Sequence, residues 1–162
     1  MQKVISIYEK QKIDLKKQYF RKGKSFMHID DVMEWIKIAD DDFDSAIILN
    51  QAYRKHYEII CYHCAQAVEK YLKGYLEYND IIPEKTHNLT YLSSICIDKD
   101  NQFVNIKTEC DFMNKFANDI RYPHRYETNE EETNFCITAV NKIRNFEPIE
   151  KLRNIPNDNV EK

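Results

Sequence analysis

The sequence contains very little glycine, with only two residues in a chain of 162. Tight β-hairpin turns, β-bulges and phosphate-cradling loops favour glycine, because it adopts backbone angles that other residues avoid. The scarcity of glycine therefore argues against a β-rich fold and against a Gly-rich nucleotide-binding loop. Long helices joined by few turns suit this composition, and a chain of this length can bury a substantial core as one domain.

Long uninterrupted hydrophobic runs are also missing. The first residues, MQKVISIYEKQKIDLKK, mix apolar and charged side chains, so we expect neither a secretory signal nor a membrane-spanning helix. The five cysteines are odd in number and fall mostly within apolar helical patterns, which predicts reduced thiols rather than a disulfide framework. Together these features predict a cytoplasmic protein.

A convincing metal or cofactor site is missing as well. Cys61 and Cys64 share one helical face, but His63 points elsewhere and no second CxxC or HxxxH follows. Structural zinc needs four converging ligands, so we interpret these thiols as small core residues. We also find no Ser-His-Asp spacing and no metal-carboxylate cluster, and we expect neither a metal nor a cofactor.

What is present begins with an uneven charge. Residues 1–25 carry eight Lys or Arg and two acidic residues, although the whole chain has a net charge of −3. Such a basic arm either contacts nucleic-acid phosphates or is simply solvated. We assign residues 1–27 to a basic N-terminal arm or helix, 28–147 to a helical domain and 148–162 to a polar C-terminal tail.

Apolar residues then repeat at steps of three and four, the period of helices packed in a bundle. Asp31 and Glu34 form a capping-box pattern at the start of one helix, and Thr128 and Glu131 form another. The acidic run at 40–42 is predicted to lie largely on a solvated helix face. The predicted helices cover about residues 31–51, 55–78, 88–96, 102–120 and 128–146, with a weaker one over about 4–19. This pattern predicts an all-α, antiparallel up-and-down bundle of four to five helices.

One segment carries a recognisable combination of residues. Residues 62–92 read YHCAQAVEKYLKGYLEYNDIIPEKTHNLTYL, where a helix of the form HxxQAxEKxLK precedes a proline loop, a Thr-His-Asn-Leu step and a short helix. With the upstream helix that contains Trp35 and the downstream Arg-Tyr-Pro at 121–123, the chain resembles the HEPN family over residues 28–147. The matching positions are His63, Gln66, Ala67, Glu69, Lys70, Leu72, Lys73, Pro83, Thr86, His87, Asn88 and Leu89.

The resemblance implies a helical bundle, usually a homodimer, that is often encoded beside a minimal nucleotidyltransferase. Some members are metal-independent endoribonucleases or toxins with an R-x4-6-H motif at the dimer seam. Others lack that motif and are thought to bind nucleotides or RNA without cleavage. The fold alone does not decide between these groups.

The segment IRYPHRY at 120–126 is the candidate for either activity. Histidine suits a general base and arginine matches phosphate oxygens, so Arg121 and His124 could cut RNA without a metal. Their spacing is R-x2-H, however, shorter than the family's ribonuclease motif. The ending His124-Arg125-Tyr126 resembles that of some toxins, whose tyrosine the partner nucleotidyltransferase can modify. Alternatively, Arg121 only caps the preceding helix and the tyrosines pack the corner.

The helix that carries the family pattern supplies a further candidate. Gln66 and Lys70 are predicted to face a groove near the IRYPHRY segment, where Lys70 could meet phosphate. Glu69 and Lys73 form an i,i+4 pair that is worth only a few tenths of a kcal/mol if it is exposed, and we interpret Lys73 in this way.

In the loop that follows, Thr86 is predicted to be the N-cap of the short helix. We interpret His87 as a residue that stabilises this loop, with a nucleotide contact as the alternative.

Three functions stay open. We favour a homodimer that binds nucleotide or RNA and acts with a minimal nucleotidyltransferase partner in a toxin–antitoxin-like system, as a binding module rather than an enzyme. The second is a metal-independent endoribonuclease toxin that uses Arg121 and His124, and the third is a structural dimer without a ligand. The residues predicted to bind nucleotide or RNA are Lys70, Arg121, His124, Arg125 and Tyr126.

Overall fold

The computed structural model describes residues 26–118 and 127–155. Within these ranges the chain forms helices and no strand, so the predicted all-α helical class is confirmed. The elements are α1 (Phe26–Gln51), α2 (Tyr57–Tyr78), α3 (Leu89–Lys99), a 3-10 helix (Asn101–Ile106), α4 (Lys107–Asn118), α5 (Glu130–Arg144) and α6 (Glu147–Arg153).

Helix α2 lies at the centre of the bundle and packs against all five other α-helices. A helix surrounded in this way exposes little of its surface, and its buried positions are filled mainly by apolar or small residues. Each large apolar side chain buried there contributes about 1.5–3 kcal/mol relative to an exposed one. The buried apolar residues of α2 are Ile60, Cys61, Cys64, Ala65, Ala67, Val68, Tyr71, Leu72, Tyr75 and Leu76.

Gly74 marks a close approach between α1 and α2. A Cβ atom at this position would lie 3.2 Å from Cδ1 of Ile36 and 3.3 Å from Cβ of Trp35, which is tighter than ordinary contact. Glycine inside a helix costs about 0.5–1 kcal/mol relative to alanine, so a packing reason is needed for its presence. The close contact with α1 provides that reason.

The start of α1 differs from the prediction. The helix begins at Phe26, so Asp31 and Glu34 lie inside it and do not form its cap. Ile29 packs against the core two residues before Asp31. Because this contact stabilises the earlier turn, tertiary packing overrides the local capping pattern.

The start of α5 is displaced by one residue. Asn129 is the N-cap, and its side chain accepts a hydrogen bond from the backbone N–H of Glu132. The capping box predicted at Thr128 and Glu131 is therefore wrong in register. Thr128 is buried instead, and its backbone N–H donates to Glu58 of α2.

The last helix was predicted to end at the Glu147-Pro148 step, but a new helix begins there. Pro148 lies in the first turn of α6, where its missing N–H has no helical partner to lose. Ile149, Leu152 and Ile155 are buried in the core. Residues that the sequence analysis places in the polar tail thus contribute to the packing.

All five cysteines are free and buried, in agreement with their interpretation as reduced core thiols. Burial raises the pKa of Cys64 and Cys96, and it raises that of Cys110 to about 12. These three thiols are protonated and unreactive at neutral pH. Over the described ranges, no helix combines the length and apolarity needed to cross a membrane.

Candidate functional site

Only one of the five predicted binding residues, Lys70, falls in the described part of the chain. The other four lie outside the described residues: Arg121, His124, Arg125 and Tyr126. The candidate site is therefore built from the residues of α2 and from the elements packed against it.

The described residues on the two sides of the predicted corner lie close to one another. Lys115, in the last turn of α4, forms an ion pair with Glu132, in the first turn of α5. Lys55, which lies just before α2 begins, forms an ion pair with Glu130 at 3.3 Å. The end of α4 and the start of α5 thus lie together, near the N-terminal end of α2.

Further along α2, the carboxylate of Glu69 is surrounded by polar and basic side chains. Its side chain is only 1% exposed. Oε1 accepts hydrogen bonds from Nζ of Lys73 at 2.7 Å and of Lys70 at 3.3 Å. Oε2 lies 2.9 Å from Nδ1 of His87 and 3.5 Å from Nε2 of Gln66. We call these five residues the Glu69 cluster.

The electrostatics of the cluster follow from these contacts. Burial alone raises the pKa of Glu69, but the hydrogen bonds from Lys73 and His87 and the charge of Lys70 outweigh burial and hold the pKa below its usual value. Glu69 is therefore ionised at neutral pH. Two lysines against one carboxylate leave the cluster with net positive charge.

The spacing of α2 explains why these side chains meet. Glu69, Lys70 and Lys73 lie three, four and seven residues after Gln66, so the four residues share one helical face. The ring centroid of Trp35, on α1, lies 5.6 Å from Nζ of Lys73. A cation over an indole face is attracted to it, which further fixes Lys73.

The interpretation of Glu69 and Lys73 as an ordinary exposed pair is wrong. The two side chains are 1% and 7% exposed, because α1 packs over this face of α2 close to Gly74. A buried pair of this kind is expensive to break, since removal of one partner leaves an uncompensated charge. The sequence pattern gives the pairing correctly but not the burial.

His87 reaches the cluster from the loop between α2 and α3, and this loop is held in place. Asn88 is the N-cap of α3 and accepts from the backbone N–H of Tyr91. The backbone N–H of Leu89 donates to Oδ1 of Asn114, on α4, at 2.7 Å. Thr86 is not the helix N-cap as predicted, because its hydroxyl accepts from the backbone N–H of Asn88 instead.

The bond from His87 to Glu69 agrees with the interpretation of His87 as a stabilising residue. It also makes His87 a member of the cluster, which the sequence pattern alone does not predict. The two residues are 18 positions apart, and only the course of the loop brings them together. Glu69 and His87 both lie in the family pattern over residues 62–92, and this was the sequence feature that could have indicated their contact.

A second carboxylate, that of Asp40 on α1, also forms several hydrogen bonds and ion pairs. The hydroxyl of Tyr71 donates to it, Nε of Arg153 lies 3.1 Å away and Nη2 of Arg144 lies 3.5 Å away. Asp42 lies 3.0 Å from Nδ1 of His63. The prediction that the acidic run at 40–42 is largely solvated is therefore wrong for these two residues, since α2, α5 and α6 pack against them.

Other candidate sites are weaker. Across residues 26–118 and 127–155, no group of His, Cys, Asp and Glu is arranged to hold a metal ion. A cavity of about 160 Å³ lies beside Tyr75, Asn79 and Lys151. Typical ligand pockets measure roughly 300–1,000 Å³, so this cavity is too small for a nucleotide.

Comparisons with known proteins agree with this architecture. A family model for the HEPN domain matches residues 32–152. The structure is similar to the crystal structure of an archaeal HEPN homologue, with 24% sequence identity and a TM-score of 0.57, over 75% of this chain and 97% of that chain. At this identity the likeness shows the fold alone. A search of curated proteins finds no match.

Proposed function

Because the chain belongs to the HEPN family, we propose that it binds nucleotide or RNA and acts with a minimal nucleotidyltransferase partner in a toxin–antitoxin-like system. The observation that carries this proposal is the net positive Glu69 cluster on α2. We include in the proposal a homodimer and a cytoplasmic location.

Lys70 is the member of the cluster best suited to a ligand. Its Nζ donates to Oε1 of Gln66 at 2.8 Å and to Oε1 of Glu69 at 3.3 Å, and its side chain is still 15% exposed. A lysine held in this way has already lost much of its rotamer freedom, so a ligand binds it at a lower entropic cost. Phosphate oxygens are a strong match for such an ammonium group.

Lys73 has a different role. Its Nζ is held by Glu69 at 2.7 Å and by the ring of Trp35, and its side chain is 7% exposed. Lys73 therefore fixes the carboxylate, while Lys70 is the lysine that a ligand can reach. This division follows from exposure and contacts, because the two side chains are chemically identical.

We also assign the segment at 120–126 to the proposed site. Arginine suits phosphate, histidine donates or accepts a proton, and tyrosine stacks on bases. These are the properties that a nucleotide-binding or RNA-binding surface needs. The residues assigned to it are Arg121, His124, Arg125 and Tyr126.

Binding is tested by titration of a labelled short RNA and of a mononucleotide, with Lys70→Ala beside wild type. Lys37→Ala is a matched control, since Lys37 is an exposed lysine paired with Asp41 on α1. We expect Lys70→Ala to weaken binding about tenfold, or about 1.4 kcal/mol, and Lys37→Ala to leave it unchanged. Equal affinity in all three proteins would remove Lys70 from the site.

The competing ribonuclease function is tested by incubation of a mixed short-RNA pool in EDTA with wild type, Arg121→Ala and His124→Ala. Our proposal predicts no cleavage by any of them. Cleavage by wild type alone, with 2′,3′-cyclic phosphate ends, would identify the R-x2-H segment as a metal-independent catalytic pair. If neither cleavage nor binding is observed, the structural dimer without a ligand is the remaining function.

The partner is tested by co-expression with the nucleotidyltransferase encoded beside this chain, if one is present there. We expect the two proteins to co-purify, and the intact mass shows whether Tyr126 is modified. Light scattering of the isolated chain measures whether it forms a homodimer.

A further inference from the structure

The contact between His87 and Glu69 fixes the proton arrangement of an exposed histidine. Oε2 of Glu69 lies 2.9 Å from Nδ1 of His87. An ionised carboxylate only accepts hydrogen bonds, so Nδ1 carries the proton and Nε2 is the basic nitrogen of the ring. The His87 side chain is 44% exposed, whereas the carboxylate that orients it is 1% exposed.

The loop around His87 limits the positions that its ring can take. The hydroxyl of Tyr91 donates to Glu84 at 2.6 Å, before His87 in the chain. Immediately after His87, Asn88 caps α3 and Leu89 donates to Asn114. The ring is therefore anchored through Nδ1 and through the backbone on both sides, which prepares Nε2 for a ligand.

Lys70 lies beside this histidine, because the two residues bind opposite oxygens of the same carboxylate. We propose that His87 is a phosphate-binding residue of the site, where protonated Nε2 donates to a phosphate oxygen next to Lys70. This inference rests on the proposed function and deepens it, since it names the group recognised and couples binding to uptake of a proton. Either a mononucleotide or an RNA can supply the phosphate.

The charges around His87 are consistent with this role. Glu69, Lys70 and Lys73 belong to α2, and Glu84 and Lys85 belong to the loop of His87 itself. From α3, the hydroxyl of Tyr91 donates to Glu84, and the contacts from α1 and α4 come from Trp35 and Asn114, which do not ionise. A phosphate arriving at this net positive group favours the charged imidazolium, so affinity falls as the pH rises.

The chain provides a matched control in His63. Its Nδ1 lies 3.0 Å from Oδ1 of Asp42 and its side chain is 27% exposed. Among the described residues, Asp42 forms no ion pair with a lysine or arginine. His63 therefore has a carboxylate contact like that of His87, but no lysine is paired with this carboxylate among the described residues. We expect His63 not to bind phosphate.

The test follows the ring nitrogens by NMR in wild-type protein labelled with ¹⁵N-histidine, and His87→Asn and His63→Asn assign the signals. In the free protein at about pH 8, we expect His87 as the tautomer protonated at Nδ1. Addition of short RNA at that pH moves its Nε2 signal toward the protonated position and leaves His63 unchanged, and the free protein at about pH 6 is the control without ligand. A mononucleotide arm and an inorganic phosphate arm show which source of phosphate is sufficient.

RNA affinity is then measured at both pH values, because a phosphodiester keeps its charge over this range. His124→Ala is present in every protein, so that His87 is the one histidine assigned to the site. We then expect the parent and His63→Asn to bind about tenfold more tightly at the lower pH, and His87→Asn to lose this dependence. If RNA binds through Lys70 but the His87 signals do not move, the inference is wrong and the proposed function stands. If no phosphate ligand binds, both are wrong. The wild-type NMR result needs no mutation, so misfolding of a variant does not affect it.

Discussion

Glu69 and Asp40 lie on neighbouring helices, and their carboxylates form ion pairs with basic side chains in different ways. Glu69 is 1% exposed, and its partners come from α2 itself and from the loop that follows. Asp40 is 31% exposed, and its partners come from α2, α5 and α6. Burial of a charge is costly, so the Glu69 cluster is not explained by stability alone. The more exposed carboxylate connects distant parts of the fold, whereas the buried one arranges a local, positively charged surface.

The largest loss of stability is expected from Glu69→Ala. This change leaves the ammonium group of Lys73 buried without its closest acceptor, which costs about 3–5 kcal/mol in the free energy of unfolding. Urea denaturation followed by circular dichroism measures the loss. The double variant Glu69→Ala/Lys73→Met should recover much of it, and a loss under about 1 kcal/mol in the single variant would contradict the burial of the pair.

A smaller effect is expected from Asp40→Ala. The hydroxyl of Tyr71 loses its acceptor, at a cost of about 1–3 kcal/mol, while the partly exposed Arg144 and Arg153 regain water. A double-mutant cycle with Tyr71→Phe isolates the pair, and thermal unfolding measures each variant. Additive effects of the two changes would show that the hydroxyl and the carboxylate do not interact.

Acid removes the charge of Glu69 without removal of its side chain. The pKa of Glu69 is lower in the folded protein than in the unfolded chain, so its contribution is complete above the unfolded value of about 4.3. That contribution is lost as the pH falls through the folded pKa. We expect the stability difference between wild type and Glu69→Gln to shrink between neutral pH and strong acid. Urea midpoints measured over a pH series test this, and a constant difference would contradict it.

The smallest effect is expected from Lys37→Ala, which removes an ion pair with Asp41 one turn away on α1. The two side chains are more than half exposed, with Nζ and Oδ2 3.6 Å apart. Exposed i,i+4 pairs contribute about 0.2–0.5 kcal/mol, so the unfolding midpoint should barely move. A large loss of stability would show that the exposure of an ion pair does not determine its contribution in this bundle.

The helical class and the central place of the family helix could be predicted because both depend on periodicity along the chain. The site could be predicted only in part. Glu69 and Lys73 are recognisable as a pair from their spacing, but their burial depends on how closely α1 approaches at Gly74. The contact of Arg153 with Asp40 spans 113 positions and depends on α6, a helix that the Glu147-Pro148 step hides. Local sequence patterns carry no information on such long-range contacts, because these contacts form only when the helices pack together.

The packing of Trp35 over Lys73 has a practical consequence for experiments on this protein. The chain has one tryptophan, and its ring centroid lies 5.6 Å from the ammonium group that holds Glu69. Indole fluorescence responds to charge at this distance, so the emission of the native chain reports on the cluster without an added label. A ligand that redistributes charge around Glu69 should alter the emission spectrum.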